Sequence, residues 1–232
     1  QMCIRDSYEE GRARMAEAGA QTRRDEDRFD RLCDHLLIFA DATGELAATC
    51  RLLPQHRLTG PEDFYTAGEF DIAPLIARHP TLRFLEIGRS CAGPDWRGKA
   101  TAELLFQAIW NYVRAEAIDV MFGCASLPGT DPQALTAELA FLAAAAPAPA
   151  DWQARARVTH ALRLAQPAVT FDPRRTLARL PPLLKGYLRL GCYLADEAVI
   201  DHDFGTIDVL VLLPVSRINP RYFSHYGAPE SP

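Results

Sequence analysis

The stretch from Leu82 to Ala102 constrains this chain more than any other. It opens with the apolar run Phe84-Leu85-Glu86-Ile87-Gly88-Arg89-Ser90, which suits a buried strand carrying charges at Glu86 and Arg89. Gly93 and Pro94 then force a turn, and Arg97-Gly98-Lys99 leads into a long helical pattern. A helix opening presents backbone N–H groups without partners and a partial positive charge, so an anion placed there is held by amides. Arg97 and Lys99 add two full charges at the same point. Strand, basic turn and helix in this order predict a phosphate-binding loop. A plain strand-to-helix turn with solvated basic residues has the same outline, so the loop needs its context.

At 232 residues the chain has the size of one α/β domain with a proper buried core. Its net charge of −5 excludes a general nucleic-acid binder, which needs a cationic face to displace counterions. Six cysteines (Cys3, Cys33, Cys50, Cys91, Cys124 and Cys192) lie far apart and form no Cys-x-x-Cys pair. Most sit in apolar runs and read as small buried hydrophobes in a reducing, cytoplasmic compartment, with neither zinc site nor disulfide frame. The apolar runs Leu139 to Ala150 and Val209 to Val215 are too short to span a bilayer, and no secretory signal is visible. Residues 1–7 have Met in second place and no periodicity, and read as a non-native leader before a single domain over 8–232.

Residues 23–34 are charged and read mostly as a solvated loop. Leu36 to Phe39 and Glu45 to Leu53 make a hairpin about the turn Asp41-Ala42-Thr43-Gly44. Pro54 to Pro80 is an irregular insertion, with Asp71 predicted as N-cap of a helix over Ile72 to Arg78 and Pro74 in its first turn. Lys99 to Glu116 has helical spacing, with Phe106 and Trp110 as core residues, and Ile118 to Ala125 is a buried strand parallel to the one before that helix. A second helix follows over Asp131 to Ala146, then strand segments at Trp152 to Val158 and Ala168 to Phe171. Arg174 to Leu194 carries basic residues on one side and leucines on the other, with Pro181-Pro182 breaking the helix. Thr206 to Pro214 is a closing strand, and Ser216 to Gly227 a tail with Tyr222 and Tyr226. The fold class is α/β.

Several ordered stretches carry a family likeness: Asp27 to Asp30 with Cys33 to Leu36, Tyr65 to Asp71, Leu85 to Ser90, and Phe122 to Ser126 before Pro128-Gly129-Thr130-Asp131. Further on come Leu184 to Gly191, Asp201 to Asp208, and Arg217 to Tyr222. From about Tyr8 to Gly227 the chain resembles the ornithine acyltransferase branch of the GNAT superfamily, relatives of the acyl-homoserine-lactone synthases. The GNAT donor loop runs Arg or Gln, two residues, Gly, one residue, then Gly or Ala; Arg97 and Ala102 fit, while Ala100 replaces the usual Gly. The resemblance implies a mixed, twisted GNAT-like sheet flanked by helices, in which two parallel strands part and admit the pantetheine arm near Gly123 and Ser126. Tyr8-Glu9-Glu10 resembles the middle of the family's first helix, which implies an N-terminal truncation with the first strand missing.

The implied reaction moves a (3-hydroxy)acyl chain from acyl carrier protein to the α-amino group of L-ornithine, forming lyso-ornithine lipid with no bound cofactor. Such a transfer needs a neutral amine, a holder for carbonyl-oxygen charge and a thiol leaving group. Glu86 is the expected base or amine orienter, with Arg89 and Ser90 as its catalytic neighbours. A buried Glu86–Arg89 ion pair is the structural alternative, and a spacing of three puts the two on opposite faces of a strand unless it bulges. Backbone N–H groups from Ser90 to Ala92 would polarise the thioester. The donor arm would meet Cys91, Ala92, Arg97, Gly98, Lys99, Ala100, Thr101 and Ser126, and the acceptor Glu69, Asp71 and Asp208.

Alanines in place of donor-loop glycines favour a carrier arm with one phosphodiester over the pyrophosphate of coenzyme A. Arg174, Arg175, Lys185 and Arg189 read either as the soluble face of a core helix or as a docking patch for an acidic carrier or anionic membrane surface. The membrane contact would be peripheral, at the inner face of the inner membrane. Asp201-His202-Asp203 lacks a second ligand cluster, so no metal site is predicted. Gly88-Arg89-Ser90-Cys91-Ala92 nearly matches a hydrolase nucleophile elbow, but Gly93-Pro94-Asp95 blocks the helix such an elbow requires. Acylation of another amine acceptor, homoserine-lactone synthesis, and a non-catalytic carrier-binding module remain as alternatives.

Overall fold

The computed structural model describes residues 27–157, 161–164, 169–219 and Tyr222. In chain order the strands and helices begin with β1 (Asp34–Phe39), β2 (Leu46–Pro54), β3 (Phe70–Asp71), α1 (Ala73–Arg78), β4 (Phe84–Ala92), α2 (Lys99–Ala115) and β5 (Val120–Pro128). They continue with α3 (Thr136–Ala145), β6 (Arg155–Ala156), β7 (Ala161–Arg163), α4 (Pro173–Arg179), α5 (Pro182–Leu190), β8 (Tyr193–Asp201) and β9 (Thr206–Pro214). Seven strands form one mixed sheet in the order β1-β2-β4-β5-β9-β8-β7, and β3 pairs with β6 apart from it. Neighbours in the large sheet are antiparallel except β4 and β5, which α2 connects as a crossover.

Those two parallel strands set the geometry of the molecule. They pair only where Phe84, Leu85 and Glu86 face Val120, Met121 and Phe122. Beyond that point β5 stays with β9, register-matched along all of Val120–Pro128, while β4 stays with β2 and leaves β5. The last close approach is Gly123 against the Ile87 carbonyl, where an added Cβ would collide with the oxygen. On the other edge β4 bulges. Arg51 faces Gly88 and Thr49 faces Cys91, so Arg89 and Ser90 together oppose Cys50. Arg89 takes φ 50°, a left-handed conformation uncommon for a side-chain-bearing residue and one that turns the strand out of its regular alternation.

Apolar packing covers both faces of the sheet. On one face α2, α3 and α5 bury Ile109, Trp110, Val113, Leu139, Leu142 and Leu184 against Leu52, Leu85 and Leu127. On the other face the insertion after β2 packs Phe64, Phe70, Ile72 and Leu75 against Phe84 and Phe122. Phe64 meets the Phe122 ring edge-on at 4.9 Å. Gly191, at φ 96°, ends α5 in the left-handed conformation that lets the chain turn back into β8.

Several elements differ from the sequence reading. Asp71 is not the N-cap of α1: Ile72 occupies that position without a side-chain cap, and the Asp71 carboxylate pairs with Arg157 at 2.9 Å. Pro74 does lie in the first turn. Trp152 belongs to a short 3₁₀ turn, β6 is only two residues long, and Val169 to Phe171 form no strand. β7 and β8 were not anticipated at all. The charged segment is no simple solvated loop, because Asp27 and Asp30 both bind the buried Arg51. Cys33, Cys50 and Cys192 are buried, as expected of small hydrophobes, and Cys91 and Cys124 are half-buried. Residues 1–7, Cys3, Val158, Ala168 and Tyr226 lie outside the described residues. Among those described, no helix is long and apolar enough to cross a membrane.

Candidate active site

A cavity of about 580 Å³ opens where β4 and β5 part. Glu86, Gly88, Arg89, Ser90 and Cys91 line it from β4, and Cys124, Ala125 and Ser126 from β5. The insertion adds Tyr65, Thr66 and Glu69, and the β8–β9 hairpin adds Asp201, Thr206 and Asp208. Residues distant in sequence thus converge where β4 and β5 lose their ladder.

Glu86 is 4% exposed, at the last position where β4 pairs with β5. Its Oε1 accepts the Thr66 N–H at 2.6 Å and its Oε2 the Tyr65 N–H at 2.9 Å. Burial pushes the carboxyl above its ordinary range, against the pull of the Thr66 and Tyr65 hydrogen bonds and of Arg51. The expected alternative partner, Arg89, instead reaches Asp27 at 3.2 Å. The bulge explains this: Glu86 and Arg89 line the same cavity rather than opposite faces.

An ion-pair cluster forms part of the cavity wall. Arg51, 6% exposed, donates to both oxygens of Asp27 at 2.8 Å and to Asp30 at 3.1 Å. Asp27 also caps the turn Arg28–Arg31 through the Phe29 N–H. Sequence reasoning passed over Arg51, although a lone arginine inside the apolar run of β2 is a signal, since a buried charge requires partners.

Three carboxylates gather at the far wall. One oxygen from each of Glu69, Asp201 and Asp208 lies within 4.8 Å of the others. Asp208, 6% exposed, accepts from Thr206 Oγ1 at 3.0 Å and is raised by burial, with Ser126 and Thr206 opposing and Asp201 adding to the shift. Asp201 Oδ1 accepts the N–H groups of Asp203 and Phe204 at 2.8 and 3.0 Å, closing the hairpin turn. Glu69 Oε2 is buried with no hydrogen-bond partner. Burial first, then the Asp208 charge, pushes the Glu69 carboxyl up to about 7, with Asp201 and Glu86 adding and Cys124 opposing. The structure brings Glu69 and Asp208 together as expected, adds Asp201, and leaves Asp71 outside the cavity walls on Arg157. His202 and Asp203 are not members of the carboxylate group.

The donor-side residues divide in two. Ser90, Cys91 and Ser126 line the cavity, and Ser90 Oγ lies 3.1 Å from Cys50 Sγ. Ala92 ends β4, and Arg97, Gly98, Lys99, Ala100 and Thr101 surround the start of α2 beyond the cavity walls. That helix start has Gly98 as N-cap and no side-chain cap. Arg97 rests on the Ala92 carbonyl at 3.4 Å, and Lys99 pairs with Glu103 at 3.5 Å with 89% of its side chain exposed. A second, apolar cavity of about 180 Å³ lies between α2 and α5, lined by Phe106, Trp110, Met121 and Leu213 among others. Ile87 and Tyr187 belong to both cavities and form the wall between them.

The basic residues of the α4–α5 region are spread out. Arg174 and Arg175 are exposed at the start of α4, where Asp172 caps the helix. Lys185 donates to the Ala178 carbonyl at 2.6 Å, and Arg189 sits exposed at the mouth of the apolar cavity. Arg179, from the same region, pairs with the buried Glu138.

Known proteins agree with this architecture. Residues 7–107 match the family described as acetyltransferase (GNAT) domain. The solved structure of FeeM, an N-acyl amino acid synthase from uncultured soil microbes, shares the fold at TM-score 0.51 and 12% identity, over 96% of this chain and 89% of that one. The L-ornithine N(alpha)-acyltransferase of Agrobacterium fabrum is 44% identical over 94% of this chain and 77% of its own length. The enzyme of that name from Brucella abortus is 43% identical over 95% and 81%. With such identity along a shared GNAT-like fold, this chain is an acyltransferase and belongs to the L-ornithine N(alpha)-acyltransferase family.

Proposed function

We propose that this protein transfers a long, 3-hydroxylated acyl chain from acyl carrier protein to the α-amino group of L-ornithine, giving lyso-ornithine lipid. The observation that carries the reading is the cavity at the parting of β4 and β5, with a strand edge on one side and three carboxylates on the other. A thioester entering there meets β4 from Ile87 onward, where the strand has no β5 partner and amides near Ser90 to Ala92 can face a developing oxyanion. An amine entering from the other side meets Glu69, Asp201 and Asp208, a set suited to the two ammonium groups of ornithine.

The donor phosphate would sit at the uncapped start of α2, near Arg97 and Lys99, with Ala100 and Thr101 in the first turn. One phosphodiester suits this loop better than a pyrophosphate, which favours the carrier arm over coenzyme A. The apolar cavity behind Ile87 and Tyr187 supplies a place for acyl methylenes, whose burial contributes about 0.8 kcal/mol each. Arg174, Arg175, Lys185 and Arg189 would each offer a contact to the acidic carrier or to an anionic membrane surface.

The test is incubation with 3-hydroxyacyl carrier protein and a mixture of amines, with products read by mass spectrometry. Ornithine N(alpha)-amide is the expected product. An amide of another amine overturns the acceptor, and equal rates with acyl-coenzyme A overturn the carrier preference.

A further inference from the structure

The acyl-transfer reading leaves open which carboxylate takes the amine proton, and the geometry separates two candidates that share the cavity. We propose that Glu69 accepts the proton from the attacking amine and that Glu86 is a positioning residue that holds Glu69 at the parting of β4 and β5. The proposal rests on the acyl-transfer reading above.

Glu86 is already occupied. Its two oxygens receive the N–H groups of Thr66 and Tyr65, which open the single turn Tyr65–Gly68, and the turn's own N-cap, Phe64, provides no side-chain acceptor. A carboxylate in that position satisfies the amides and complements the positive end of the turn. A proton on Glu86 would put an O–H donor against these N–H donors and loosen the turn. Both of its oxygens are therefore engaged as acceptors in holding the turn.

Glu69 follows that turn directly, its N–H closing on the Thr66 carbonyl at 3.0 Å. Glu86 thus fixes the backbone that carries Glu69. Within the carboxylate group, Asp201 holds its hairpin turn and Asp208 accepts from Thr206, whereas Glu69 Oε2 is buried and has no hydrogen-bond partner. The groups that face Glu69 are Cys124 on β5, Asp208 on β9, Asp201 at the end of β8 and Glu86 on β4. The two arginines of the cavity, Arg51 and Arg89, are bound to Asp27. Three carboxylates and one thiol face Glu69, and burial, then the Asp208 charge, raises its proton affinity to about 7, which matches a base working at neutral pH.

The step balances as follows. An ammonium N–H proton passes to Glu69 Oε2, and the freed nitrogen lone pair attacks the thioester carbon. The C=O π pair moves to oxygen, then returns as the C–S bond breaks, and the second nitrogen proton leaves with sulfur as the thiol. Asp201 and Asp208 keep the acceptor's other ammonium while Glu69 is neutral.

Single-turnover rates of the Glu69→Gln and Glu86→Gln proteins, measured from about pH 5 to 9 alongside the unaltered chain, test this assignment. The unaltered chain should gain rate with pH through an apparent pKa of about 7. Glu69→Gln should lose roughly 10²–10³-fold in rate together with that pH dependence, with amine KM little changed, and Glu69→Asp should restore part of both. Glu86→Gln should lose rate but keep the pH dependence. A Glu69→Gln protein that keeps its rate limb and only raises amine KM overturns the assignment, as does a limb that vanishes in Glu86→Gln instead. Thermal melts of each variant separate these outcomes from misfolding. Failure of the unaltered chain to acylate any amine sinks the acyl-transfer reading, and the assignment with it.

Discussion

The two halves of β4 are one strand under different constraints. Phe84 to Glu86 are buried and paired with β5, Leu85 and Glu86 with β2 as well, whereas Ile87 to Ala92 have only the β2 edge, are bulged at Arg89 and are mostly half-buried. The first half does what a central strand does: it closes the sheet and joins the two cores. The second half lines a cavity with Ile87, Gly88, Arg89, Ser90 and Cys91. Glu86 stands at the boundary and belongs to both. A binding cleft can therefore arise from a local failure of pairing inside an otherwise continuous sheet.

The strongest way to break the contrast is at Gly123. Gly123→Val drives a branched side chain into the Ile87 carbonyl, so it should destabilise the fold by about 2–3 kcal/mol in a denaturant titration and abolish turnover. Next comes the boundary residue: Glu86→Ala strands the Tyr65 and Thr66 amides and should cost about 1–3 kcal/mol, with m-value unchanged.

The third test concerns pH. The folded Glu69 carboxyl binds its proton up to about 7, above its ordinary 4.5, so the folded state holds more protons than the unfolded between those values. Stability contributed by this group is accordingly present below pH 4.5 and lost as pH rises to about 7. Glu69→Gln should therefore stabilise the protein by about 1–3 kcal/mol at pH 8 and by nothing measurable at the acid end, read from paired unfolding curves.

Smaller effects sharpen the bulge and the loop. Arg89→Gly and Arg89→Ala both remove the contact with Asp27, but only Gly accommodates φ 50° freely, so the Gly protein should be the more stable by about 1 kcal/mol. Lys99→Ala should leave the melting temperature alone and raise the donor KM a few-fold, an effect that fades as salt is added.

The sequence spoke most clearly where structure is local. The strand, turn and helix from Phe84 to Ala115 follow from adjacent residues, and so does the hairpin of β1 and β2. β8 stayed hidden because Asp196 and Glu197 interrupt its apolar residues and the pairing slips between Leu194 and Ala198, so no two-residue alternation shows. Glu69 and Asp208 were identifiable as acidic residues in apolar company, but Asp201 joined them only through the β8–β9 turn. Asp71 misled because helix-cap chemistry reads the same whether or not a distant arginine, here Arg157, claims the carboxylate.

The insertion after β2 is fastened to the central strand at Glu86 by the amides of Tyr65 and Thr66, and backbone N–H groups are common to every non-proline residue. That attachment does not depend on which side chains the insertion carries. Segments of different sequence can therefore be seated on the same carboxylate without redesigning the sheet, the donor loop or α2. The insertion that carries Glu69 can thus diverge, or be exchanged in the laboratory, while the strand that holds it is kept.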